Sequence, residues 1–187
     1  MNRIRNLALA VACAWLSGML PAHGQETSDF MPKGGKTLLI EMLGQPLDAA
    51  ALRPIATARR NEEEWLAFLA DRKTSMSARE LRTLAGYLAV NMPVAGGALD
   101  SAQEKGDPGA ALPADGRELA WNNCQFCHSL FASHLTQDRD VSGWLGMFGS
   151  PFHRELQMSE RERETFARYS AVNMPMKLED VPADLRF

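Results

Sequence analysis

Two thiols three positions apart, with an imidazole directly after the second, stand at Cys124-Gln-Phe-Cys127-His128. The spacing suits a haem, because each thiol can meet one vinyl group and the adjoining imidazole can swing beneath the iron. Two other chemistries use paired cysteines. A thioredoxin-like dithiol wants a strand leading into the motif within a βαβ pattern, and half of a zinc site wants further ligands at suitable spacing. Neither setting surrounds these residues. Cys124 and Cys127 are therefore expected to hold one haem c covalently, with His128 as the proximal iron ligand.

The opposite face of such an iron decides its use, since a Met there gives a carrier of moderately high potential whereas an open site permits ligand chemistry. Met147 is the first expectation. It is followed by Phe-Gly-Ser-Pro, a run that breaks helix and suits a loop folding over a cofactor. His153 is the second and would make a bis-His iron of lower potential; otherwise it is a solvated loop imidazole. Met158 is the third, although a large apolar residue just before a capping Ser is also the position of a hydrophobic staple. Packing against aromatic side chains is the plain alternative for Met147, Met158 and Met174. His134, six residues beyond His128, is expected at the surface.

The elements that must position these groups come in two copies. The stretch MSARELRTLAGYLAVNMP from Met76 and the stretch MSERERETFARYSAVNMP from Met158 agree at 12 of 18 positions without a gap. About one identity would arise by chance at ordinary residue frequencies, so the chain is read as an internal duplication. Trp65-Leu66 and Trp144-Leu145 extend the likeness upstream, with three more residues between Trp and Met in the second copy. A gapless match from the Trp pairs Met147 with Phe68. Ser77-x-x-Glu80 and Ser159-x-x-Glu162 are capping boxes and mark helix starts. Leu81, Leu84, Tyr87 and Leu88, and in the second copy Phe166, Tyr169 and Val172, give each helix an apolar stripe. Pro93 and Pro175 lie just past the expected helix ends. Sustained period-two alternation is absent from the sequence, which predicts an all-α fold.

Residues 1–24 read as a secretory signal, with Arg3 and Arg5 before an apolar run from Leu7 to Leu20 and small residues at Ala22-His-Gly24. The run is shorter than the roughly 20 apolar residues that span a bilayer, so removal near Gln25 is expected, with Cys13 discarded. The protein is then periplasmic, without a membrane span. Loss of two Arg and no acid takes the formal charge from −3 to −5. Such a balance disfavours nucleic acid and anionic membrane surfaces as partners. Gly96 to Gly116 is short of large apolar side chains and reads as linker, so the expected organisation is a haem-free helical module at 25–93, a linker at 94–115 and a haem domain at 116–187. Residues 25–93 contain no cysteine, and the place of the missing motif falls near Glu41 to Pro46. Asn61-Glu-Glu-Glu64 reads as an exposed helix start, or else as part of an acidic docking face.

Residues 116–175 resemble the class I cytochrome c family. In that family a Gly precedes the first Cys by eight residues and a Leu by five, as Gly116 and Leu119 do here. The aromatic residue usual at four before is replaced by Ala120, with Trp121 next to it. The closing family helix carries an aromatic residue near its end, matched by Tyr169. The likeness implies that the first and last helices cross, with Gly116, Trp121, Phe166 and Tyr169 in the core. It also implies a distal ligand at 150–153, a window that holds His153 and no Met. Trp144-Leu-Gly-Met147, Met158-Ser159 and the closing helix are similar to small haem subunits of periplasmic dehydrogenases, such as those of sulfite dehydrogenases. The implied function is electron transfer, as a carrier or as such a subunit, between a dehydrogenase and another cytochrome or a terminal oxidase. The first module then resembles a decayed cytochrome c repeat. The alternative is a haem enzyme or gas-binding protein with an open distal site, against which the chain offers no evident distal acid–base cluster.

Overall fold

The computed structural model describes residues 28–72 and 75–186; the signal-like segment 1–24 lies outside them. Among the described residues all regular structure is helical and no strand occurs, so the all-α expectation holds. Helices run at Gly35–Leu43 (α1), Ala49–Ala56 (α2), Glu62–Ala70 (α3), Ala78–Asn91 (α4), Ala98–Glu104 (α5), Gly116–Cys124 (α6), Val141–Met147 (α7), Pro151–Arg154 (α8) and Glu160–Asn173 (α9).

Local chemistry explains the starts. Ser77 and Glu80 cap α4 reciprocally, as do Ser159 and Glu162 for α9, each pair satisfying amides that the first helical turn leaves free. Asn61 with Glu64 opens α3 in the same way, and Asp115 with Glu118 opens α6. The acidic run at Asn61 is thus a helix start, and its Glu62 also pairs with Arg168 on α9.

The helices α4 and α9 pack on one another, with α1 and α3 against α4 and with α6 and α7 against α9. Their contact is written in exchanged hydrogen bonds. Asn91 Nδ2 donates to Thr165 Oγ1 and Asn173 Nδ2 donates to Thr83 Oγ1, each at 2.9 Å. Tyr87 Oη donates to the Pro113 carbonyl at 2.8 Å, and Tyr169 Oη to the Pro32 carbonyl at 2.7 Å. The two helices thus present the same residue types to the same kinds of partner.

The fully buried Asp115 lies where the halves meet. Its carboxylate accepts from the amides of Arg117 and Glu118 at 3.0 and 3.1 Å, capping α6, and from those of Lys36 and Thr37 at 3.1 and 3.4 Å, at the start of α1. Burial pushes its pKa up, against the lowering action of the Glu118 and Thr37 amides and of the Arg117 charge. Only Gly fits at position 34, since a Cβ there would fall 2.0 Å from the carboxylate.

Two apolar cores result, one around Leu52, Trp65, Leu84 and Leu88, the other around Leu135, Trp144, Phe148 and Phe166. The stretch 94–115, expected as a linker, is instead part of the first core. It carries α5 and a 3-10 turn at Pro108–Ala111, and Leu99 and Leu112 are buried. Two well-placed leucines suffice because small Ala and Gly residues let the chain lie close to the core. At the counterpart of Met147, Phe68 packs on Trp65, and the guanidinium groups of Arg60 and Arg72 each lie over its ring, 4.3 Å from its centre.

Candidate functional site

The helix α6 ends at Cys124, so the Cys124–His128 run begins where the backbone leaves the helix. Beyond it the chain makes a π-helical turn at Phe131–Leu135 and then enters α7, whose Trp144 is fully buried. Cys124, Cys127 and His128 line one cavity of about 420 Å³ together with Met147 and His153. Its size falls in the range of cofactor sites. The remaining lining is mostly carbon, from Trp144, Phe152, Leu156 and Phe166.

The thiols differ in setting. Cys127 is exposed, whereas Cys124 is partly covered and burial pushes its thiol up to about 12. A redox-active or metal-binding cysteine needs the opposite shift, because the thiolate is the reactive form. Cys124 is chemically suited to remain a neutral sulfur. Among the described residues, no three of His, Cys, Asp and Glu converge as a metal site of their own.

Among the three residues weighed for the distal face, Met147 and His153 line the cavity and Met158 does not. Met158 is buried in the second core immediately before the capping Ser159, in the staple position. Met147 ends α7 and packs partly against the same core. The His153 ring lies 5.9 Å from that of His128, centroid to centroid, and its Nδ1 is 2.9 Å from Ser150 Oγ.

His134, expected at the surface, is 1% exposed. It sits between Trp144 and Phe166, at 5.1 and 5.2 Å, and its Nε2 is 2.8 Å from Ser170 Oγ. Ser170 donates its own proton to the Phe166 carbonyl, so Nε2–H is the donor to Ser170 and Nδ1 carries the lone pair. Burial pulls the ring down to about 4, and it is neutral at pH 7. Nδ1 has no partner within the protein. Trp144 Nε1 has none either, but neither does Trp65 Nε1 in the first half, so that indole is no mark of the cavity. The matching position to Ser170 in α4 is Leu88. A Ser that replaces a core Leu was the signal for the buried imidazole.

No protein-family model, curated protein or solved structure matches the chain.

Proposed function

We propose that this chain is a periplasmic monohaem c-type cytochrome that transfers electrons, as a carrier or as the haem subunit of a dehydrogenase. The observation that carries the proposal is the convergence of Cys124, Cys127 and His128 on one largely apolar cavity that also holds Met147 and His153. The donor set suits a porphyrin. Cys124 and Cys127 would hold such a group covalently and His128 would ligate its iron, the other ligands coming with the porphyrin itself. Each thiol would add across one vinyl group, its sulfur bonding to carbon and its proton passing to the neighbouring carbon, with no net oxidation. When bound, the haem supplies a one-electron iron centre. The protein's part is to hold it by two thioethers, ligate it through His128 and exclude water with Trp144, Leu156 and Phe166.

The 12 matched positions and the exchanged Asn–Thr and Tyr–carbonyl bonds support a duplicated cytochrome c-like module. Its first copy has no cysteine, and Phe68 fills the place of Met147. One haem per chain follows. Residues 1–24 would direct export, and among the described residues no helix is long and apolar enough to cross a membrane. The expected partners are a dehydrogenase, another cytochrome or a terminal oxidase. The exposed Phe126, within the motif, and Phe152, at the cavity, offer apolar contact to such a protein.

A redox titration of the purified protein under CO separates carrier from open-site enzyme. A reversible one-electron change with no CO adduct is the expected result. Rapid CO binding on reduction would favour the enzyme instead.

A further inference from the structure

We infer that His153, positioned by Ser150, is the ligand opposite His128, and that Met147 is an apolar wall of the cavity. The inference rests on the haem reading above and sharpens it to a bis-histidine iron.

The first ground is distance. A ring nitrogen bonds a metal ion at about 2.0 Å, and the ring centre lies roughly 1 Å further, so two imidazoles sharing one ion from opposite sides have centroids about 6 Å apart. His128 and His153 stand at 5.9 Å.

The second ground is what Ser150 does. It is the N-cap of α8, ahead of Pro151 at the first helical position, yet its hydroxyl makes no bond to a backbone amide. A Ser at this position ordinarily spends its oxygen on such an amide. Here the hydroxyl lies 2.9 Å from His153 Nδ1. In the tautomer where that oxygen accepts Nδ1–H the lone pair is left on Nε2, the arrangement in which an outer hydrogen bond orients a metal-bound imidazole.

The third ground is the comparison of the two halves. Between Trp and the staple Met, the haem half has three residues more than the first half, and α8 lies in that stretch. The first half, which has no cysteine, has no His between Trp65 and Met76. The imidazole is thus found only where the attachment motif is. Met158 is occupied in the core, and the Met147 side chain packs against the same core from the end of α7.

The test uses the full-length haem-loaded protein and its Met147→Leu, His153→Gly and Ser150→Ala variants, read by ferric absorption and electron paramagnetic resonance. The wild type should be low-spin without the near-infrared band of Met–iron ligation, and Met147→Leu should match it. His153→Gly should be high-spin and return to low-spin on addition of imidazole. Ser150→Ala should stay low-spin while binding cyanide about tenfold more tightly, as the distal imidazole is held less firmly. A wild-type Met–iron band that Met147→Leu abolishes would overturn the inference and leave the cytochrome reading standing. A low-spin His153→Gly spectrum without added imidazole would also overturn it. If His153→Gly does not accumulate, His153→Met decides: a new Met–iron band supports the assignment, and an unchanged wild-type spectrum refutes it. Chains without any attached haem would instead defeat the cytochrome reading itself.

Discussion

Asn173 donates from Nδ2 to Thr83 Oγ1 at 2.9 Å across 90 positions of sequence, and the same amide donates its other proton to the Tyr169 carbonyl at 2.9 Å. Asn91 repeats the pattern with Thr165 and the Tyr87 carbonyl. Both Asn side chains are buried, so losing either leaves polar groups stranded at the contact of α4 and α9. Asn173→Ala and Asn91→Ala are each expected to cost about 1–3 kcal/mol, and by similar amounts because the environments match. Urea unfolding of both variants checks this. Losses below 0.5 kcal/mol, by order of magnitude for a neutral surface change, would show that the contact is not organised by these bonds.

Gly116→Ala tests the crossing of α6 and α9. A Cβ at Gly116 would fall 2.0 Å from Tyr169 Cβ, and Tyr169 is pinned by its bond to Pro32. Relief needs movement of helix backbone rather than of a flexible tip, so a loss of about 3 kcal/mol or more is expected. Gly35→Ala should behave alike, since its Cβ would fall 2.2 Å from Tyr87 Cβ. Thermal unfolding reads both, and a wild-type melting temperature would contradict the close packing.

His134 gives the protein a pH dependence of known sign. Its pKa is 6.5 in an unfolded chain and about 4 when buried. The unfolded chain therefore binds the proton first, and stability present above pH 6.5 is lost as pH falls through 4. The loss attributable to this ring approaches roughly 3 kcal/mol. His134→Leu should remove it, so the difference between wild type and variant shifts in the variant's favour as pH drops from 7 to 4. Parallel unfolding curves at both pH values would show that the ring titrates normally.

Met158 is buried in the second core and does not line the cavity. Met158→Leu should leave the haem spectrum unchanged, whereas Met158→Ala should cost about 2–5 kcal/mol of stability through the cavity it opens. A changed ligand field in Met158→Leu would return it to the distal candidates.

Much of this architecture was legible in residue order. Ser77-x-x-Glu80 and Ser159-x-x-Glu162 announced α4 and α9, and the Cys124–His128 run announced part of the cavity lining, because caps and motifs act over a few neighbouring residues. What was missed depends on distance. Asp115 binds the amides of Lys36 and Thr37 from about 80 positions away, which no local pattern reveals. His134 sits in a π-helical turn, whose register the 3.6-residue period does not follow, and so looked like surface. Residues 94–115 looked like linker because few large side chains, Leu99 and Leu112 among them, anchor them. The competition between Met147 and His153 was visible in the sequence, but Ser150's forgone cap is visible only in three dimensions.

The most direct measurement of the central claim is the intact mass of the protein exported by cells that possess a haem-attachment pathway, taken under denaturing conditions beside the Cys124→Ala/Cys127→Ala variant. The account predicts wild-type chains heavier than the bare polypeptide by one haem, coloured after denaturation, and variant chains at the bare mass. Wild-type chains exported in full at the bare mass, or carrying a second haem, would contradict it.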